Sequence, residues 1–209
     1  MREKNKKELL HKLTTLYPEP RSELNFSSDF ELVISVVLSA QCTDKKVNQT
    51  TPALFKRFGS FRKLSKADVQ DVEQIIREVN YYRTKSKNII ELSRMVVEQF
   101  GDQLPSTMEE LIELPGVGRK TANVVLGERG ITPSIAVDTH VFRVSRRLGI
   151  AKGENVRVVE ESLMKNFAPE SWRDLHHQLI FHGRRVCKAR NPLCGSCELS
   201  DLCPSRVKT

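Results

Sequence analysis

Four of the chain's five cysteines fall in the last 23 residues, in the stretch CKARNPLCGSCELSDLC: Cys187, Cys194, Cys197 and Cys203, spaced C-x6-C-x2-C-x5-C. Four thiolates in one short loop read as a metal site, and both zinc and a [4Fe–4S] cluster accept four cysteines. Structural zinc usually uses two short C-x2-C pairs. A single short pair leans toward the cluster and leaves zinc open. Upstream, LPGVGRKT (114–121) sets Lys120 just behind a turn of two glycines and a proline. Eighteen residues further on, SIAVDTHVFRV carries Asp138 where an apolar run meets a helical pattern.

Each feature has a plain reading beside the chemical one. A short helix, the turn LPGVG and a second helix make a helix–hairpin–helix pattern, whose exposed N–H groups and helix start form an anion site suited to a DNA phosphate. Many such hairpins only grip backbone. Yet the positive end of a helix disfavours a lysine's charge, and a neutral amine is the form that attacks an electrophilic carbon. The segment does not complete a nucleotide-binding P-loop: Gly118 is followed by Arg119, and a helix rather than a strand precedes the turn. Asp138 fits a helix N-cap, worth about 1 kcal/mol, and the same position fixes a carboxylate pointing out of the helix start. His140, His176, His177 and His182 read as packing and hydrogen-bonding residues, Trp172 as a core or inter-lobe residue, and Cys42 as a small packing residue.

The elements that must position these groups are helical almost throughout. Leu9, Leu10, Leu13 and Leu16 share one face, stopped by Pro18 and Pro20. Ser28 or Asp29 can cap FELVISVVLSAQ, apolar nearly all round and read as a central buried helix. Asp44 can cap a further helix, and Thr51-Pro52 reads as the start of another ending at Gly59. Thr107 with Glu110 forms a capping box for a short helix into Leu114. Helices are expected over 119–128, 138–148, 154–167 and 171–182. The fold class is all-α with about ten helices.

With 209 residues, the chain can build one large or two small domains. Its net charge of +8 suits a polyanion such as nucleic acid or an anionic membrane surface. The longest apolar stretch, 32–40, is too short to span a bilayer, and the N-terminal segment has no apolar core of a secretory signal. Clustered, odd-numbered cysteines argue against a secreted disulfide framework and for an intracellular protein.

Together, ELNFSSDFELVISVVLSAQCTD, LPGVGRKTANVVL, IAVDTHVFRV, LHHQLIFHGRRVC and the cysteine tail resemble the endonuclease III DNA glycosylases over nearly the whole chain. The resemblance implies a two-lobed helix–hairpin–helix glycosylase fold. A six-helix lobe would span 22–132, and 1–21 would join 133–209 as an iron–sulfur lobe, with DNA held in the cleft between them. It further implies a [4Fe–4S] cluster on Cys187, Cys194, Cys197 and Cys203. The activity implied is a bifunctional DNA glycosylase/AP lyase that removes oxidised or ring-saturated pyrimidines from duplex DNA, with Lys120 and Asp138 catalytic. DNA contacts are expected from Gln41 and Tyr81; from Leu114, Gly116, Val117, Gly118, Arg119 and Thr121 of the hairpin; and from Arg143, Arg184, Lys188 and Arg190. Where the family usually has a glycine and an aliphatic residue in a gap-filling loop, this chain has Asn80 and Tyr81. The expected setting is a monomer acting on damaged double-stranded DNA in a prokaryotic cytoplasm, at the nucleoid, with no membrane partner. The competing functions are a non-enzymatic DNA-binding or damage-sensing protein, an electron carrier, and a relative of the adenine-specific mismatch glycosylases. The last generally lack this lysine and carry a further C-terminal domain.

Overall fold

A computed structural model describes the chain from Arg2 to Val207. Among the described residues there are eleven α-helices, three short 3-10 turns and no strand. The chain divides into two compact units: Ser22–Thr132, and the residues up to Arg21 together with those from Pro133 on.

The 22–132 unit holds α2 (Asp29–Ser39), α3 (Asp44–Arg57), α4 (Phe61–Leu64), α5 (Val69–Ile76), α6 (Tyr82–Gln99), α7 (Met108–Glu113) and α8 (Arg119–Arg129). That is seven helices rather than six, because α4 is a separate single turn capped by Ser60. The Ser28 hydroxyl caps α2 by accepting from the Glu31 N–H, and α2 is buried from Leu32 to Leu38, as its all-round apolar sequence requires. Its core partners include Leu54, Leu64, Val72, Ile89, Leu111 and Val125. Thr43, not Asp44, caps α3. Pro52 does not begin a new helix but lies inside α3. Proline removes one backbone hydrogen bond there; the helix continues because Val47, Thr50, Thr51 and Leu54 bury one face across the interruption.

The other unit holds α1 (Glu3–Leu16), α9 (Thr139–Arg147), α10 (Val156–Asn166) and α11 (Trp172–Arg185), followed by the cysteine loop. Leu9, Leu13 and Tyr17 share a core with Val141, Val144, Leu163, Leu175 and Leu179, so the first helix packs with the C-terminal ones. Trp172 belongs to this core and donates its indole N–H to the Phe167 carbonyl at 2.9 Å. No described helix is long and apolar enough to cross a membrane.

Candidate functional site

Lys120 is the second residue of α8 and is exposed. The turn before it is built from inside the unit. Leu114 and Val117 are 2% and 5% exposed and anchor the hairpin in the core, while the Val117 N–H closes the turn on the Leu114 carbonyl at 3.0 Å. Gly116 has φ +81, and a Cβ there would meet Asn88 of α6 at 3.0 Å and Val37 of α2 at 3.2 Å. Backbone angle and space both demand glycine. Gly118, the N-cap of α8, has an ordinary φ of −90, and a Cβ on it would meet nothing within 4 Å. No neighbour inside the protein calls for glycine at 118. Its lack of a side chain leaves the first N–H groups of α8, which have no intrahelical partner, open to a close ligand.

Asp138 is the N-cap of α9, with Oδ1 accepting from the Val141 N–H at 2.7 Å. The run before it, Ser134–Val137, is buried, and His176 of α11 lies 2.7 Å from the Ala136 carbonyl through Nδ1. The carboxylate is therefore fixed at a helix start whose approach is itself pinned. Behind it α9 and α11 pack closely: a Cβ on Gly183 would meet His140 at 3.0 Å and Val144 at 3.1 Å. Burial lowers the pKa of His140, and its Nδ1 faces the Arg143 guanidinium at 3.2 Å, which leaves that nitrogen the acceptor.

Arg143, expected among the DNA contacts, is half-buried. It donates to the carbonyls of Cys187, Gly183 and Thr139 at 3.1, 3.0 and 3.4 Å, tying α9 to α11 and to the first cysteine. Leu114 and Val117 have their side chains in the core, so a contact there runs through backbone. Arg119, Arg184, Lys188 and Arg190 are exposed and Thr121 is half-buried.

Cys187, Cys194, Cys197 and Cys203 line one pocket with Leu148, His182, Val186 and Pro192, and none is in a disulfide. Burial pushes the Cys197 and Cys203 thiols up from their ordinary value, so a cationic centre is needed to hold them as thiolates. Donors face the sulfurs. Arg147 donates to Cys187 Sγ at 3.6 Å and fixes the loop through the carbonyls of Lys188 and Ala189 at 2.7 and 3.1 Å. His182, 2% exposed with its pKa held down to about 4 by burial, lies 3.0 Å from the Tyr17 hydroxyl through Nδ1 and 3.6 Å from Cys197 Sγ through Nε2. With Tyr17 donating to Nδ1, the ring proton sits on Nε2 and points at the sulfur. The residues present fit a thiolate-ligated cluster, although among the described residues no three groups converge as ligands of a single ion. The supporting donors Arg147 and Tyr17 lack any signal of spacing; they come from elements distant in sequence.

Comparison with known proteins agrees with this geometry. Residues 34–169 match the HhH-GPD superfamily base excision DNA repair protein, and residues 187–203 match the iron-sulfur binding domain of endonuclease III. Endonuclease III of Escherichia coli (strain K12) is 46% identical over 201 residues, covering 96% of this chain and 95% of that protein. Two solved structures are each 42% identical with a TM-score of 0.91: a non-covalent endonuclease III–DNA complex and a trapped endonuclease III–DNA covalent intermediate with an estranged adenine. Each covers 98% of this chain; this chain covers 96% of the first and 97% of the second. The cysteine loop thus holds a [4Fe–4S] cluster. The chain belongs to the endonuclease III family of base-excision repair enzymes, DNA glycosylases with AP lyase activity.

Proposed function

We propose that the protein excises oxidised or ring-saturated pyrimidines from duplex DNA and then cuts the strand, with Lys120 as nucleophile and Asp138 as its carboxylate partner. The observation that carries the proposal is Lys120 itself: an exposed amine in the first turn of α8, behind a hairpin whose Gly116 and Gly118 serve different ends. Likeness to a protein trapped covalently on DNA supports it.

The damaged nucleotide leaves the helix stack at a cost of a few kcal/mol, lowest for a lesion that stacks poorly. The amine attacks C1′ as the bond from C1′ to the base breaks; the base leaves with that electron pair and takes a proton from water, and the Asp138 carboxylate takes a proton from the lysine. The same carboxylate stabilises positive charge developing on the sugar. Breaking of the C1′–O4′ bond, with Asp138 returning its proton to O4′, opens the sugar ring and gives a Schiff base between Lys120 and C1′. This acidifies the 2′ hydrogen, whose removal expels the 3′ phosphate and regenerates a free amine after hydrolysis. The cluster orders the loop that carries Lys188 and Arg190, and these, with Arg119, Thr121 and Arg184 and the hairpin N–H groups, contact the backbone. Gln41 and Tyr81 fill the space the flipped base leaves. On this reading the protein works as a monomer at the nucleoid of a prokaryotic cytoplasm.

The test is borohydride trapping on a duplex with one thymine glycol, beside Lys120→Ala. A covalent adduct that disappears in the variant is expected. No adduct on this lesion or on an abasic-site duplex from cluster-loaded protein would overturn the assignment.

A further inference from the structure

Three turns of the 22–132 unit hold non-glycine residues in left-handed backbone, at Gln41, Tyr81 and Asp102. Two of them lie at the ends of neighbouring helices: Gln41, just after α2, has φ +54, and Tyr81, the N-cap of α6, has φ +59. Such angles are disfavoured for residues with a side chain and persist where surrounding contacts impose them. Both residues are exposed, and Tyr81 reaches 65%, a high value for a large aromatic. The surrounding contacts are identifiable. Asn80 Nδ2 donates to the Gln41 carbonyl at 2.7 Å, and Lys85 Nζ donates to the carbonyls of Leu38 and Ala40 at 2.8 and 2.6 Å. Ser39, the remaining residue of that run, has its carbonyl taken by the Cys42 N–H at 3.0 Å. Every carbonyl from 38 to 41 is therefore occupied, three of them by side chains that bracket Tyr81 in sequence.

Lys85 is an unusual donor. It is 6% exposed, and its ammonium meets the carbonyl end of α2, where the helix dipole favours a cation. Burial lowers its pKa, as expected where carbonyls replace water. A buried lysine committed to two backbone carbonyls acts locally. It fixes where α2 ends and how the next residue leaves it.

We propose that Asn80 and Lys85 form a clamp that presets the Gln41 and Tyr81 turns as one two-pronged wedge for the gap opened in duplex DNA. This rests on the reading above that Gln41 and Tyr81 enter that gap. The physical gain is preorganisation: two separately mobile turns would have to be ordered on binding, whereas clamped turns are ordered beforehand. Asn80 also suits the turn where a glycine is usual, because its amide supplies the link that glycine lacks. Asn80 and Lys85 are positioning residues, with no contact to DNA required of them.

Affinity for a duplex carrying a non-cleavable tetrahydrofuran abasic site, relative to the undamaged duplex, tests the clamp in the cluster-loaded protein. Asn80→Ala, Asn80→Gly, Lys85→Met and Tyr81→Ala are compared, with the double variant Asn80→Ala/Tyr81→Ala. Loss of the Asn80 bond is expected to lower the damaged-to-undamaged ratio about three- to tenfold. In the Tyr81→Ala background the Asn80 change should add little, since a clamp has no value without its prong. A ratio lost in Tyr81→Ala but kept in Asn80→Ala and Lys85→Met overturns the clamp alone, as does full additivity in the double variant. A ratio kept in all variants overturns the wedge assignment and the clamp with it. Asn80 is exposed, so its variants decide the matter even where Lys85→Met fails to fold.

Discussion

Gly116 and Gly118 stand two residues apart in the hairpin and answer to different demands. Gly116 is fixed by the protein's own interior, with φ +81 and Asn88 and Val37 beneath it. Gly116→Ala should cost about 1–3 kcal/mol of stability through backbone strain and crowding, read as a lowered denaturant midpoint. Gly118 has an ordinary φ and open space above it. Gly118→Ala should leave stability within about 0.5 kcal/mol yet weaken binding to every duplex, because the methyl stands over the helix-start N–H groups. Equal loss of stability in the two variants would refute this division. Asp138 can be separated in the same way. Asparagine caps a helix about as well as aspartate, so Asp138→Asn should keep the α9 cap and the fold. It should still slow base excision by about a hundredfold or more, the usual scale for losing a positioned general base. Unchanged single-turnover excision would reduce Asp138 to a cap.

At the scale of elements, α9 and α11 are held by two devices: the missing side chain of Gly183 and the Arg143 guanidinium bonded to the Gly183 and Cys187 carbonyls. Gly183→Ala presses a methyl on His140 and Val144, and overpacking of this kind costs about 1–3 kcal/mol. Its thermal midpoint should fall, and a midpoint equal to wild type would show that α9 can shift to make room. Neither device was legible in the sequence, whereas the helices were. The Leu9/Leu13 face, the Ser28 cap, the Thr107–Glu110 box and the Asp138 cap all rest on spacings within one turn, which a linear reading registers. Pro52 misled because a local rule puts proline in the first turn of a helix, and burial of Val47 and Leu54 on either side carries α3 straight through it. Arg143 reads in the sequence as a phosphate ligand, and only tertiary structure supplies the three carbonyls it also meets. The bonds from Asn80 and Lys85 to the end of α2 cross about forty residues and leave no periodic trace. The candidate site was therefore readable as residue types at helix starts, and its supports were not.

Each unit of the molecule has its own apolar core, and the two depend on the cluster differently. The core of 22–132 draws on α2 through α8 and uses no cysteine-loop residue. The other core includes Leu199, fully buried, with Cys187, Cys197, Leu202 and Cys203 packed partly against it. Among the described residues beyond Arg185 the regular structure is two three-residue 3-10 turns, Cys194–Ser196 and Ser200–Leu202, and the loop's backbone bonds are short-range turns, such as Ser200 N–H to the Cys197 carbonyl at 3.0 Å. Lys12 of α1 reaches the loop at the Asp201 carboxylate, 3.2 Å, and at the Glu198 carbonyl, 3.1 Å, both exposed contacts weakened by solvent. The loop is further held by Leu199 in the core and Leu202 packed against it, by the Arg143 and Arg147 bonds, by the His182 contact to Cys197 and by the four thiolates on iron. Without iron the thiols of Cys197 and Cys203, raised by burial, stay protonated and ligate nothing. Chelating the cluster should therefore release the loop first and then the residues that lean on it, Tyr17, His182 and the end of α11, while α2 to α8 stay folded. Amide hydrogen exchange resolves this by segment. Protection should fall at 186–207 and at the α11 terminus and persist at 32–38 and 89–96. Early loss throughout α2 to α8 would mean that the cluster supports the whole molecule and that the two cores are one cooperative unit.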